Sequence, residues 1–264
     1  MIQRVINDIE EFLNIKINEN DIHYFTDGVS GSTVFKLKNK YLVKITDELT
    51  IKTQKEFFKY YNEDYLQKLV HINEELNYII FEFIEGEKFH LELDTHALHI
   101  FDQLISITLS YKKYDYNGYG YLFEDNKTWD EFLLDEALNS YKEMPEINMD
   151  KVYKALEVVK QYNVDQYLIH GDFGTHNFLL QDNKIKVIDP MCVVGDKLYD
   201  FYFAIFSNDE IFENIKLETI LKQFDDDFEY KKALLLIVLF IRMGRAKKYD
   251  KENFYKYEKI YNNL

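Results

Sequence analysis

Cysteine is all but missing. The single Cys192 excludes an intrachain disulfide and suits a reducing compartment. Proline occurs twice and glycine nine times in 264 residues, too little for long linkers or a low-complexity tract, and no internal repeat is present. Long hydrophobic runs are also lacking. The greasiest, Ala233 to Ile241, lies between Lys232 and Arg242; a membrane span needs about 20 apolar residues, so this run is expected to be a buried helix. The opening residues, Met1 to Glu10, are mixed in polarity and carry no apolar core of a secretory signal. Positive charge is in deficit: the net formal charge is −15. That disfavours nucleic acid, whose phosphates are bound by clustered Lys and Arg, and is compatible with a cationic small molecule. A soluble, cytoplasmic protein with a cationic small-molecule partner and no membrane partner is expected, and no stretch marks an oligomer interface, so a monomer is the expectation.

What is abundant is apolar and aromatic surface, 47% hydrophobic with 22 Tyr and 21 Phe, enough for a core in one large domain or two lobes. Residues 1–86 read as β-rich. Val5, Ile6, Ile9, Phe12 and Leu13 recur at helical spacing. Ile22 to Phe25, Thr33 to Lys38, Tyr41 to Ile45, Val70 to Ile72 and Tyr78 to Ile84 read as strands of an antiparallel sheet. Thr50 to Leu69 has helical periodicity. Between the first two strands, Gly28 and Gly31 with Ser30 and Ser32 form a small-residue loop whose N–H and hydroxyl groups suit phosphates, although such loops are commonly plain turns. Lys44 interrupts an apolar strand, and a lysine there is either solvated or a buried-edge cation needing a carboxylate.

From 87 to 264 the pattern turns helical, which sets the expected domain boundary. Leu98, Phe101, Leu104, Ile105, Thr108 and Leu109 read as one helix face, and Thr128 with Glu131 as a capping box. Leu217 to Phe224, Tyr230 to Gly244 and Phe254 to Tyr261 read as three closing helices. His90, His96 and His99 lack a cysteine or carboxylate pair that would complete a zinc site.

Chemistry is concentrated in Tyr167 to Asp200. Tyr167-Leu168-Ile169-His170-Gly171-Asp172 leads to His176-Asn177 and then to two apolar runs joined by Asp182-Asn183, a hairpin closed by Ile188-Asp189. One carboxylate to orient and deprotonate a hydroxyl, with an amide oxygen and a second carboxylate for Mg²⁺, is what phosphoryl transfer requires. Gly195 to Asp200 adds the tail Asp-x-x-Tyr-Asp.

The interval His-x-Asp-x4-Asn, the strand ending Ile-Asp and that tail resemble the aminoglycoside phosphotransferase and choline kinase group, relatives of protein kinases. The glycine-aromatic loop Asn117 to Phe123 followed by Trp129 is similar to hygromycin-type members. The resemblance implies an α+β, two-lobed protein-kinase-like fold: a sheet lobe with a helix, 1–86, and a mainly helical lobe, 87–264. It implies a kinase that moves the γ-phosphate of ATP or GTP to a hydroxyl of an aminoglycoside, conferring resistance. The alternatives are a metabolic kinase acting on choline, a sugar, an amino-sugar or a macrolide, and a nucleotide-binding module without turnover. By the same resemblance Asp172 is the base, Asn177 and Asp189 hold Mg²⁺, and His170 supports the loop. Lys44 grips the α and β phosphates and Glu56 pairs with it, Glu63 being the alternative; Ser30, Gly31 and Ser32 cover the nucleotide. Glu82, Phe83 and Ile84 form the purine-binding hinge. Asp196, Asp200, Asp209 and Glu210 are candidate substrate contacts, with helix capping and scaffolding the other reading of Asp196 and Asp200. Pro190 stands where protein kinases have Phe-Gly, which argues against an activation segment.

Overall fold

The computed structural model describes residues 2–25, 31–88, 94–124, 127–207 and 209–264, the side chains of 87, 88, 94–96, 209 and 210 excepted. It divides into two compact units, 1–87 with 179–188, and 88–178 with 189–264.

The first unit opens with α1 (Ile2–Leu13), followed by β1 (Ile22–Phe25), β2 (Thr33–Leu37), β3 (Tyr41–Ile45), α2 (Glu48–Tyr60), β4 (Leu69–Asn73), β5 (Tyr78–Glu82) and the start of β6 (Glu87–Lys88). Strands β1 to β5 form an antiparallel sheet in the order β1-β2-β3-β5-β4. Alternation sends successive side chains to opposite faces. Phe35, Leu37, Val43, Ile45, Tyr78 and Ile80 pack with Val5 and Ile9 of α1. Ile79 and Phe81 pack with Ile51 of α2. Lys44, paired with Ile79 across the strands, therefore faces the α2 side, and it is buried.

The helix expected over Thr50 to Leu69 is shorter. Asp47 caps α2 by accepting from Thr50 N–H at 2.9 Å, and the chain leaves the helix at Tyr61 with extended backbone. The reason lies in the hairpin of β9 (Phe178–Gln181) and β10 (Lys184–Val187). Val187 N–H donates to Tyr65 C=O at 2.7 Å and Gln67 N–H to Val187 C=O at 3.0 Å, so 65–67 trade helical hydrogen bonds for bonds to β10. Asp182 and Asn183 are both left-handed, φ 52° and 60°, as a two-residue hairpin turn demands. A cut at residue 86 would have left this hairpin with the second unit; most of it packs with the first.

The second unit contains α3 (Asp94–Ser110), β7 (Gly120–Tyr121), α4 (Trp129–Tyr141), α5 (Asp150–Val159), β8 (Tyr167–Ile169), β11 (Val193–Gly195), α6 (Lys197–Ile205), α7 (Asp209–Asn214), α8 (Leu217–Leu221), α9 (Phe228–Tyr249) and α10 (Lys251–Asn263). The greasy run expected to be a buried helix is the middle of α9, where every residue from Ala233 to Ile241 is buried. It packs on α4, α5, α6 and α10. No described helix is long and apolar enough to cross a membrane. The expected face of α3 is partly displaced: Leu98 and Leu109 are exposed, while Ala97, Ile100, Phe101, Leu104 and Ile107 are buried. The Thr128 N–H donates to Glu131 Oε2 at 2.8 Å, as the capping box predicts. A three-stranded sheet, β7-β11-β8, places the ends of β8 and β11 side by side.

Candidate active site

Antiparallel pairing sets Val193 opposite Ile169. Beyond it, the N–H groups of Met191 and Cys192 donate to the His170 carbonyl at 2.9 and 3.0 Å. The segment that follows β8 and the one that precedes β11 are thus tied together, and with them the loop of Asp172 and the segment of Asp189. Gly171 makes the turn at φ 81°, and a Cβ there would come within 2.5 Å of Val193 Cγ2. Only glycine meets both demands.

Asp200 braces the turn from below. It has no exposed surface and accepts from His170 N–H at 2.7 Å, Gly171 N–H at 3.0 Å and the Tyr111 hydroxyl at 2.6 Å. Burial pushes its carboxyl up to about 7, against the pull of these donors. Asp196 caps α6, accepting from Leu198 N–H at 2.8 Å and from the Tyr230 hydroxyl; burial takes it up to about 6. Both carboxylates are buried and engaged in these bonds, the capping and scaffolding arrangement that is one of the two readings left open for them. Asp209 and Glu210 open α7, and their side chains lie outside the described set.

His170 is buried, and its Nδ1 accepts from Asp172 N–H at 3.3 Å. It holds backbone. The Asp172 carboxylate has partners on both oxygens. Arg245 of α9 donates to Oδ1. Oδ2 lies 2.9 Å from His176 Nε2 and accepts from Asn177 Nδ2 at 3.2 Å, the same amide also donating to the Asp172 carbonyl at 2.8 Å. Burial raises this carboxyl, yet the His176 hydrogen bond and the Arg245 charge outweigh it and hold it well below the usual carboxylate range. It stays ionised.

With the Asn177 amide nitrogen turned to Asp172, its oxygen is the atom suited to a cation. Asp189 is exposed and left-handed, φ 57°, a conformation in which Asp is enriched. Among the described residues no three His, Cys, Asp or Glu assemble a complete metal site. Asn177 and Asp189 offer hard oxygens only, which fits an ion that takes its other ligands from phosphate and water, as Mg²⁺ does.

In the first unit, Glu56 on α2 is mostly buried and lies 3.4 Å from Lys59. Glu63 falls beyond the end of α2 and lines a cavity of about 550 Å³ with Phe58, Gln67, Glu82, Phe83 and Ile84. At the expected hinge, the Glu82 carbonyl accepts from Gln67 Nε2 at 3.0 Å, and Phe83 N–H donates to Lys40 C=O at 2.8 Å. Ser32 Oγ donates to Thr46 Oγ1 at 2.9 Å beside Gly31, φ 70°; Ser30 lies outside the described residues.

Sequence reasoning missed Arg245 and left His176 without a role. The signal for Arg245 was present: Arg242 and Arg245 stand one helical turn apart directly after a nine-residue apolar run, and charges on a buried helix call for partners. Arg242 and Arg245 each lie 4.7 Å from the Phe203 ring centre.

The model of the phosphotransferase enzyme family matches residues 21–234. A comparison with curated proteins gives no match. Among solved structures, choline kinase LicA from Streptococcus pneumoniae is similar at TM-score 0.66 and 15% identity, over 100% of this chain and 99% of that one. Aminoglycoside phosphotransferase APH(4)-Ia is similar at TM-score 0.62 and 15% identity, over 100% and 98%. A thermostable mutant of it, in a ternary complex with ADP and hygromycin B, is similar at TM-score 0.62 and 15% identity, over 98% and 97%. At such identities the likeness is one of fold.

Proposed function

The chain belongs to the phosphotransferase enzyme family, whose model spans most of its length, and from that premise we propose that it transfers the γ-phosphate of ATP or GTP to a hydroxyl of a small molecule. The observation that carries the reading is the loop of Asp172: an ionised carboxylate held from both oxygens, on a backbone turn braced by buried Asp200. Asp172 orients the acceptor hydroxyl and takes its proton late, as the new O–P bond forms and the bond to the leaving nucleoside diphosphate breaks. The proton then passes to solvent. A base with a depressed pKa suits this step, because the loose transition state asks for orientation more than for proton affinity.

Asn177 and Asp189 are assigned to the magnesium ion, which supplies positive charge to the phosphate oxygens when bound. Lys44 is assigned to the α and β phosphates with Glu56 as its partner. Ser30, Gly31 and Ser32 are assigned to the phosphates from the loop side, and Glu82 to Ile84 to the purine.

Two acceptor classes follow from the comparisons. The solved complex with hygromycin B supports an aminoglycoside, with drug resistance as the outcome. The choline kinase likeness supports a metabolite; the cation on the base itself, Arg245, favours a metabolite without an ammonium group beside its hydroxyl, and so neither choline nor a polyamine. The expectation of a cationic acceptor rested on the net charge of −15 and on the resemblance to aminoglycoside kinases.

The test is a panel of hydroxyl compounds assayed by coupled detection of the nucleoside diphosphate. Asp172→Asn is expected to lower turnover of any accepted compound about 10²-fold or more while nucleotide binding persists. Unchanged turnover in that variant would remove Asp172 from the mechanism.

A further inference from the structure

A hydroxyl that gives its proton to Asp172 must come within about 2.6–3.2 Å of a carboxylate oxygen. Both oxygens have neighbours. On the Oδ2 side stand His176 and Asn177, and on the Oδ1 side stands Arg245. The Arg245 side chain is 30% exposed, against 16% for Asp172, so on the Oδ1 side the arginine is the more accessible of the two. Phe203 lies under it at 4.7 Å and fixes its plane.

Glu136 is the counter-charge to consider. It acts electrostatically on both Arg245 and Asp172, but it is buried and accepts the Tyr121 hydroxyl at 2.9 Å. It belongs to the wall and offers no open carboxylate for an amine. The molecule's charge of −15 does not reverse the local field, since exposed charges more than about 8 Å away are screened at physiological salt. A guanidinium carries five N–H donors in a flat fork. One donates to Asp172, and the fork as a whole suits oxygen, in bidentate fashion for carboxylate or phosphate. An ammonium group at this point would meet like charge.

Resting on the kinase reading above, we propose that Arg245 selects an acceptor carrying an oxyanion, carboxylate or phosphate, beside the hydroxyl that is phosphorylated. Arg245 thereby sets specificity, and the acceptor class is a hydroxylated acid in place of a polyamine.

Four sugars of one ring type serve as probes: a uronic acid, a sugar monophosphate, the neutral sugar and the amino-sugar. Binding is measured by calorimetry with the nucleoside diphosphate present, and turnover by diphosphate release from ATP. For the wild type, one or both oxyanion sugars are expected to exceed the amino-sugar by about tenfold or more in Kd and in kcat/KM, the scale of a charge-assisted hydrogen bond. Which of the two wins identifies the oxyanion. Arg245→Gln is expected to erase the ratio and Arg245→Lys to keep part of it, with thermal melts confirming that both variants fold. Preference for the amino-sugar, an unchanged ratio in Arg245→Gln, or no binding of either oxyanion sugar at millimolar concentration overturns the proposal. Binding preference without diphosphate release sinks the kinase reading and leaves this one standing. Diphosphate release with an unaltered ratio does the reverse.

Discussion

Replacing Asp200 by Ala removes one buried carboxylate and strands two backbone donors, the N–H groups of His170 and Gly171. Each buried unpaired donor costs about 1–3 kcal/mol. Asp200→Ala is therefore expected to lower unfolding free energy in urea by about 3 kcal/mol and to loosen the turn that carries Asp172. Turnover should fall together with stability, and a variant of full stability and low turnover would give Asp200 a direct chemical role instead. At this scale the sequence was explicit about residue types. The intervals between His170, Asp172, Asn177 and Asp189 are local, and local spacing survives as local geometry. Arg245 is 73 positions from Asp172, and no periodicity within either segment links them.

At the scale of elements, α9 brings the distant arginine to the loop. Gly244, its neighbour in sequence, lies so close to α4 that a Cβ would stand 2.5 Å from Ser140 Cβ and 2.7 Å from its Cα. The Ser140 hydroxyl donates to Ile241 C=O at 3.1 Å across the same contact. Gly244→Ala must push the helices apart, and overpacking of this kind costs about 1–3 kcal/mol. A fall in melting temperature is expected, with Arg245→Gln-like specificity because the guanidinium moves with the helix backbone. Gly244→Ala with unaltered melting would show that α4 and α9 yield freely. The helices themselves were largely legible, since apolar residues at helical spacing mark α1 and an unbroken apolar run marks the buried middle of α9. The end of α2 was not: Tyr61 to Leu69 keeps a helical pattern, but the backbone of 65–67 pairs with β10, and tertiary hydrogen bonds override local propensity.

For the whole molecule, buried acids make stability depend on pH. Asp200 near 7 and Asp196 near 6 lie above the ordinary value of about 3.9 for an unfolded Asp. Between about pH 4 and 7 the folded chain keeps protons that the unfolded chain has released, so these two groups contribute stability that is lost as pH rises through that window. His71, whose pKa burial lowers, acts oppositely, and Asp172, held below the carboxylate range, contributes stability that is full at neutral pH and is lost only on acidification through and below that range. The discriminating measurement is the slope of unfolding free energy from about pH 5 to 8. Asp200→Asn, less stable throughout, is expected to show a slope less negative than the wild type, and equal slopes would place Asp200 ionised in the folded state. The sequence by itself determined the two-part alternation of sheet and helix, the hairpin at Asp182 and Asn183, and the residue types of the Asp172 loop, because periodicity and turn chemistry act over a few neighbours. The tertiary structure alone decided that the hairpin packs with the first unit, that the Asp196 and Asp200 carboxylates are buried, and that an arginine sits on the Asp172 carboxylate. Those outcomes depend on burial and on pairings across tens of residues, which no local pattern encodes.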